Sequence, residues 1–250
     1  MSVNDICGNS QNCQPIDIDE PSSPDIFIDK SKHSYSFFKT GNVLSDKDII
    51  EYRDNKNIFI EPFNIKNVKS SSYDITLGTN FFREVDNNSD YYNIYSYESV
   101  HNSWVLNSAP EAGTIFSNYM MGINASDKII VLNPQETILA HSEEFIGGIN
   151  NITTMMKTRS SMRRNYIDVC GSAGWGDVGY FNRWTMEITN FHKQKKIILV
   201  CGRRIAQIVF FPTGFVTDKY TGKYQENNIS FEDLATKWSP YSMIPKLWLD

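Results

Sequence analysis

The 250-residue sequence predicts an all-β domain, a distorted barrel or jelly roll carrying a few short helices. Three observations lead there. Short β-rich segments recur along the chain, turn residues stand between them, and amphipathic helical periodicity is almost missing.

The elements follow in order. Residues 1–40 read as a disordered arm dominated by Asn, Ser, Asp and Pro, with Phe27, Phe37 and Phe38 as apolar residues able to dock. Ser45-Asp-Lys-Asp48 resembles a capping box with Asp in place of the usual Glu, so a short helix is expected to start at Ser45 ahead of Ile49 and Ile50. Asn57-Ile-Phe-Ile-Glu-Pro62 reads as a strand stopped by proline. Tyr73-Asp-Ile-Thr-Leu-Gly78 alternates and ends at glycine, and Lys128-Ile-Ile-Val-Leu132 runs into a turn at Asn133-Pro134. Further strands are expected over 137–140, 168–170, 183–189, 196–200 and 204–211. The Asn-, Ser- and Tyr-rich stretch 86–127 reads as long loops, with room for one hairpin. Beyond Pro212 the chain turns polar, with a short helix expected over 231–237 and Trp248 and Leu249 as docking residues. The division expected is an arm over 1–40, a β domain over 41–228 and a tail over 229–250.

Composition narrows the classes of function. The formal charge is −5, so no global basic field points to nucleic acid, although a few local Arg and Lys residues suffice for a charged small ligand. The four cysteines, Cys7, Cys13, Cys170 and Cys201, form no C-x-x-C pair, which argues against a disulfide framework and a zinc knuckle. No stretch approaches the ~20 apolar residues of a membrane span. The first 24 residues lack the apolar core of a secretory signal. The expectation is a soluble cytoplasmic protein that binds neither nucleic acid nor membrane.

Four segments crowd polar residues where strands end. Ser70-Ser-Ser-Tyr-Asp-Ile-Thr-Leu-Gly78 is either a site or a strand opened by a serine-rich turn. In Thr158-Arg-Ser-Ser-Met-Arg-Arg164, the forked donors of Arg159, Arg163 and Arg164 suit phosphate, and Ser160 and Ser161 add hydroxyls. The spacing of Arg159 and Arg163 places them on one helix face; the alternative is a solvated basic turn. Gly171-Ser-Ala-Gly-Trp-Gly-Asp-Val-Gly-Tyr180 holds four glycines that permit positive φ and close backbone approach to a ligand. Asp177 lies within it, either at a site or as a turn cap. In Arg183-Trp-Thr-Met-Glu-Ile-Thr189, a period of two turns Trp184, Met186 and Ile188 one way and Arg183, Thr185, Glu187 and Thr189 the other. Glu187 is then a mid-strand carboxylate, catalytic or merely solvated.

Taken together and in this order, the segments resemble the dCTP deaminase branch of the dUTPase superfamily. The resemblance runs from Val43-Leu-Ser-Asp-Lys-Asp-Ile49 through the four segments to Arg204-Ile-Ala-Gln-Ile208 and Tyr220-Thr-Gly-Lys-Tyr-Gln225. It implies a dUTPase-like β fold and a homotrimer with active sites at subunit interfaces. It places Glu187 on the catalytic glutamate, Ser160 and Arg164 on the pair that holds the reacting water and the base, and Ala173 on the residue whose backbone contacts that water. Tyr220, Lys223 and Tyr224 fall on the segment that closes over the nucleotide, and Gln207 on a glutamine of the penultimate strand. Asn227 stands where the family has a phosphate-contacting glutamine, and Thr158 where many members have glycine.

The implied reaction is attack of water on cytosine C4 of dCTP. Zinc deaminases use H-x-E and P-C-x-x-C for this. Neither pattern occurs here, since His33, His101, His141 and His192 have no cysteine pair to join them. A metal-free route needs a carboxylate whose pKa is balanced between burial and a neighbouring arginine, and Glu187 beside Arg164 is the expected pair. The triphosphate calls for Arg159, Arg164 and Lys223, with Ser160 and Ser161 as neutral donors, and for Mg²⁺ held through the phosphates with no protein-only metal cage. Ser172-Ala-Gly-Trp-Gly-Asp177 resembles members that also hydrolyse the dUTP product to dUMP and pyrophosphate, with Asp177 positioning the second water. A dUTPase alone, a catalytically inactive nucleotide-binding regulator, and inhibition by dTTP in the same site remain open from sequence.

Overall fold

The computed structural model describes residues 43–86, 88–118, 120–225 and 230–250, with the side chain of Phe231 excepted. The expected arm over 1–40, with Phe27, Phe37 and Phe38, lies outside the described residues, as does Asn227.

The chain opens with helix α1, Asp46–Asp54. Ser45 and Asp48 form the reciprocal capping box, each side chain bonding the other's backbone N–H. Strands β1 (Ile58–Glu61), β2 (Val68–Lys69) and β3 (Ser72–Glu84) follow, then α2 (Tyr97–Ser103), β4 (Trp104–Ser108) and α3 (Ala112–Ile115). Next come β5 (Ile129–Leu132), β6 (Thr137–Gly148), β7 (Ile152–Thr158), α4 (Ser160–Arg163) and β8 (Ile167–Val169). The last strands are β9 (Trp175–Gly176), β10 (Phe181–Asn190), β11 (Ile197–Val200) and β12 (Arg204–Pro212), and α5 is Phe231–Lys237.

Ten strands form one curled, half-barrel sheet, ordered β8-β10-β6-β3-β12-β7-β9, with β1 on β6 and β2 and β4 on β3. β5 and β11 pair separately. All named strand pairs are antiparallel. Tyr73, Ile75, Leu77, Ile138, Met186, Ile188, Ile208 and Phe210 fill the main core. A satellite cluster of Phe82, Val100, Leu139, Met243 and Ile244 lies beside it. No helix among the described residues is long and apolar enough to cross a membrane.

Three expectations are corrected. Two strands outrun their sequence signals: β3 continues past Gly78 to Glu84, and β6 past Ala140 to Gly148. At Gly78 a Cβ would collide with the ring of buried His141, so this glycine marks a close packing point inside the strand, not its end. The stretch 86–127 also contains α2, β4 and α3. Ser96 accepts the Ser99 N–H as an N-cap, and β4 pairs with β3 over Asn80–Glu84. Finally, Trp248 docks on the satellite cluster, whereas Leu249 stays exposed.

Candidate active site

Glu187 sits on β10, whose residues alternate between half-buried and buried along its whole length. Trp184, Met186 and Ile188 enter the core, and Arg183, Thr185, Glu187 and Thr189 take the opposite face, as period two requires. β6 and β8 flank this strand, with Glu187 opposite Leu139 and Ile188 opposite Val169. A central strand on which one carboxylate is half-buried gives that side chain a fixed direction.

That direction is into a pocket of about 330 Å³. Leu139, Ala173, Asp177, Tyr180, Glu187 and Tyr220 contribute to its wall, and Trp184 and Tyr224 continue it. The aromatic rings support one another: Tyr180 meets Trp184 edge-on at 5.4 Å and Tyr220 at 5.2 Å between centroids. Burial is the main cause that raises the Glu187 carboxyl above its ordinary value, opposed only by its own backbone N–H. Burial also raises the Tyr180 phenol, and the neighbouring Tyr220 and Glu187 add to that. The site therefore combines flat apolar rings with a carboxyl poised to bind a proton.

The glycine-rich segment builds the pocket's edge. Gly179 has φ +93°, which only glycine adopts without strain, and the turn it makes lets Tyr180 N–H donate to the Asp177 carbonyl at 3.0 Å. At Gly176 a Cβ would collide with Thr154 Oγ1 and the Trp184 ring. Close approach here is to strand β7 and Trp184, and the result is that Asp177 and Ala173 stand exposed at the pocket's edge.

The segment carrying Tyr220 and Tyr224 is fastened over the pocket. Tyr220 N–H donates to Val178 O at 2.8 Å. Gln225 makes a two-point clasp: its Oε1 accepts from Phe181 N–H at 2.8 Å, and its Nε2 donates to Gly179 O at 2.9 Å. Asn182 Nδ2 adds a bond to Tyr224 O at 3.0 Å. Sequence reading did not single out Gln225 or Asn182 for this work. Gln225 carried a signal, because an amide directly after Lys-Tyr can bond two backbone groups of a facing strand end.

The remaining candidates form a second patch that does not line this pocket. Ser160 and Ser161 open the short helix α4 and are exposed, as is Arg164. Arg159 and Arg163 do not share a helix face as expected. Arg159 precedes the helix in extended conformation, its Nε 3.5 Å from Asp74, while Arg163 covers the Phe191 ring at 4.6 Å. A helix of four residues is too short to impose the spacing. Gln207 lies on β12 opposite Asp74 and Lys157. Asp74, missed from sequence, is buried and gathers Arg204 at 3.1 Å, Arg159 at 3.5 Å and Lys69 at 4.0 Å. Thr158 accepts from Val169 N–H at 2.8 Å and ties β7 to β8. Arg164 makes no ion pair among the described residues, and no arginine contributes to the shift at Glu187. The balanced pair Glu187–Arg164 is thus not formed within one chain.

Lys223 pairs with Asp250, and Lys246 N–H donates to the Tyr224 hydroxyl at 3.1 Å. Segment 230–250 also supplies Met243 and Pro245 to the pocket wall and lays Trp238 against His141 and Arg183. His141 is buried, and desolvation holds it down at about 4, so it is a neutral core histidine. Among the described residues no three of His, Cys, Asp and Glu come together as a metal cluster. The pocket's acidic donors are the oxygens of Asp177 and Glu187. Such a set suits Mg²⁺ delivered on phosphate oxygens with its waters, with exposed Asp177 the residue able to face it.

Comparison with known proteins places the chain in a family. A family model described as dCTP deaminase-like matches residues 43–213. A protein named dCTP deaminase, dUMP-forming, from Methanococcus maripaludis is 32% identical over 176 residues, covering 68% of this chain and 82% of the relative. A protein of the same name from Methanocaldococcus jannaschii is 32% identical over 171 residues, covering 67% and 81%. The solved 2'-deoxycytidine 5'-triphosphate deaminase of Agrobacterium tumefaciens aligns with a TM-score of 0.49 and 16% identity over 70% of this chain, which spans about half (49%) of that protein's length. The chain belongs to the dCTP deaminase-like family.

Proposed function

We propose that this protein converts dCTP to dUMP, first by deamination at cytosine C4 and then by hydrolysis at the α-phosphate. The observation that carries the reading is the Glu187 carboxyl, raised by burial and facing an aromatic pocket that also holds Asp177. Relatives named as dUMP-forming support the second step.

Glu187 takes a proton from water as that water adds to C4, then gives it to the departing ammonia. One water is consumed, and dUTP and NH₃ result. A carboxyl with a raised pKa serves both directions, because proton transfer is most efficient when the catalytic pKa nears the working pH. Tyr180, Trp184 and Tyr220 exclude water and offer flat surfaces to the base. In the second step Asp177 positions a water for attack at the α-phosphate, and pyrophosphate leaves. Mg²⁺ brought in on the triphosphate would offset phosphate charge, and Asp177 is the residue that would face it.

The reacting water's other partners, Ser160 and Arg164, come from a neighbouring copy in a homotrimer. Exposed α4 lies outside the Glu187 pocket, and Arg164, which caps it, has no ion-pair partner among the described residues, which suits an interface donor. Arg159, Ser161, Gln207 and Lys223 complete the nucleotide contacts, with Asn227 in the place of the family's glutamine. dTTP would compete for the same site. A deoxynucleotide-pool reaction of this kind belongs in the cytoplasm.

The test is to incubate the protein with dCTP and Mg²⁺ and separate the products. dUMP and pyrophosphate are expected. dUTP as the end product removes the second step, and unchanged dCTP rejects the reading.

A further inference from the structure

Beside the Glu187 pocket lies a smaller recess of about 150 Å³ that shares Tyr224 with it. Three lysines reach it from three parts of the chain: Lys223 from the clasped segment, Lys237 from α5, and Lys246 from the stretch beyond. Asn182 and Ser242 add neutral polar groups. Positive charge gathered in a concave polar recess is a chemistry for anions.

The ion pairs leave that charge incompletely matched. Lys223 pairs with Asp250, whose side chain is 59% exposed, and Lys237 lies 3.9 Å from Asp233 with both side chains over half exposed. Lys246 has no carboxylate partner among the described residues. Its ammonium donates to Lys223 O at 3.0 Å and lies 5.6 Å from the Tyr224 ring centroid. Desolvation lowers its pKa below the ordinary lysine value. Holding a cation partly out of water without a counter-charge is unfavourable until an anion arrives.

We propose that Lys223, Lys237 and Lys246 form a subsite for the phosphate chain of the nucleotide whose base occupies the Glu187 pocket, with Asp250 as the resident counter-ion that phosphate displaces. The identity of the base rests on the dCTP reading; the anion chemistry rests on the lysines. At about 150 Å³ the recess is well below the roughly 300 Å³ of ordinary small-molecule sites, so it takes phosphate groups and not a second nucleoside. Lys237, Lys246 and Asp250 lie beyond Asn227, the last residue the resemblance reaches, so these three are an addition to what it implies for Lys223.

The experiment measures inorganic tripolyphosphate binding by calorimetry and dCTP deamination in parallel, for wild type, Lys246→Ala, Lys246→Arg, Lys237→Ala and Asp250→Asn. Lys237 is exposed, so its replacement tests the subsite without risk to the fold. Lys246→Ala is expected to raise both the tripolyphosphate Kd and the dCTP KM about tenfold, the size of one lost charge-assisted bond, with kcat within twofold. Lys246→Arg should retain most binding. Asp250→Asn should tighten binding, a sign opposite to that of a lost structural contact. If wild type deaminates dCTP but neither lysine replacement changes Kd or KM, the subsite is rejected and the deaminase reading stands. If wild type leaves dCTP intact yet binds tripolyphosphate in a Lys246-dependent way, the subsite stands and the reading of the base fails. Weaker binding by Asp250→Asn overturns the displacement.

Discussion

Glu187 shows how little a residue type says before its surroundings are known. On a solvated strand it is a surface charge; half-buried on β10 with its carboxyl pushed upward, it is suited to the proton transfer proposed for it. Replacing it with Gln should lower deamination by at least the 10²–10⁴-fold that general acid–base catalysis contributes, while calorimetry still detects nucleotide binding. Turnover close to wild type would remove Glu187 from the chemistry. A second consequence concerns stability. Below its ordinary value of 4.5 the carboxyl is protonated in both folded and unfolded chains, and its contribution is fully present. As pH rises through the raised folded pKa, ionisation in the pocket becomes unfavourable and stability falls. Glu187→Gln, which cannot ionise, should therefore melt higher than wild type at pH 8, with the gap shrinking toward pH 4. A gap that is constant across pH would contradict the burial argument.

At the scale of elements, legibility tracked how local the cause was. The α1 cap and the alternation of β10 are written within a few residues of sequence, and both were readable. β7 was not, because Ile152-Thr-Thr-Met-Met-Lys-Thr158 has no clean alternation and owes its strand to pairing with β12 and β9. β4 hid in an Asn-, Ser- and Tyr-rich stretch for the same reason: β3 offers it a partner that composition does not reveal. The candidate site divided likewise. Glu187 and Asp177 were marked by their segments and Tyr220 and Tyr224 by the resemblance, whereas Tyr180, Asp74, Gln225 and the docking of Trp238 on His141 depend on residues far apart in the chain. The Gln225 clasp makes a sharp prediction. Gln225→Ala loses two bonds worth about 0.5–1.5 kcal/mol each, and the loss falls on the segment rather than the core. KM for dCTP should rise by about tenfold, and limited proteolysis should cut near residues 220–225 faster, with the global melting temperature falling by only a few degrees. Unchanged KM and cleavage would show that the segment is held by other contacts.

For the whole molecule, the decisive fact is that one chain assembles only half of the expected constellation. Glu187, Ala173, Asp177, Tyr220 and Tyr224 share a pocket, while Ser160 on α4 and Arg164, the residue that caps it, stand exposed outside it. Arg164 is uncompensated among the described residues and Glu187 is raised with no arginine to lower it. Two such half-sites would meet if the face of one copy that bears α4 packed on the pocket of the next, the head-to-tail contact that the proposed homotrimer would close into a ring. Subunit mixing tests this directly. Glu187→Gln and Arg164→Ala proteins should each be inactive alone. Unfolded together in equal amounts and refolded, they would, in the proposed homotrimer, mix at random, and a productive site would need an intact Glu187 from one copy and an intact Arg164 from its neighbour. Each condition is met half the time, so about one quarter of wild-type activity should return. If both residues act within a single chain, every chain remains defective and mixing restores nothing. Because neither protein can acquire activity by refolding alone, recovery reports the shared site itself, and its size reports whether neighbours associate at random.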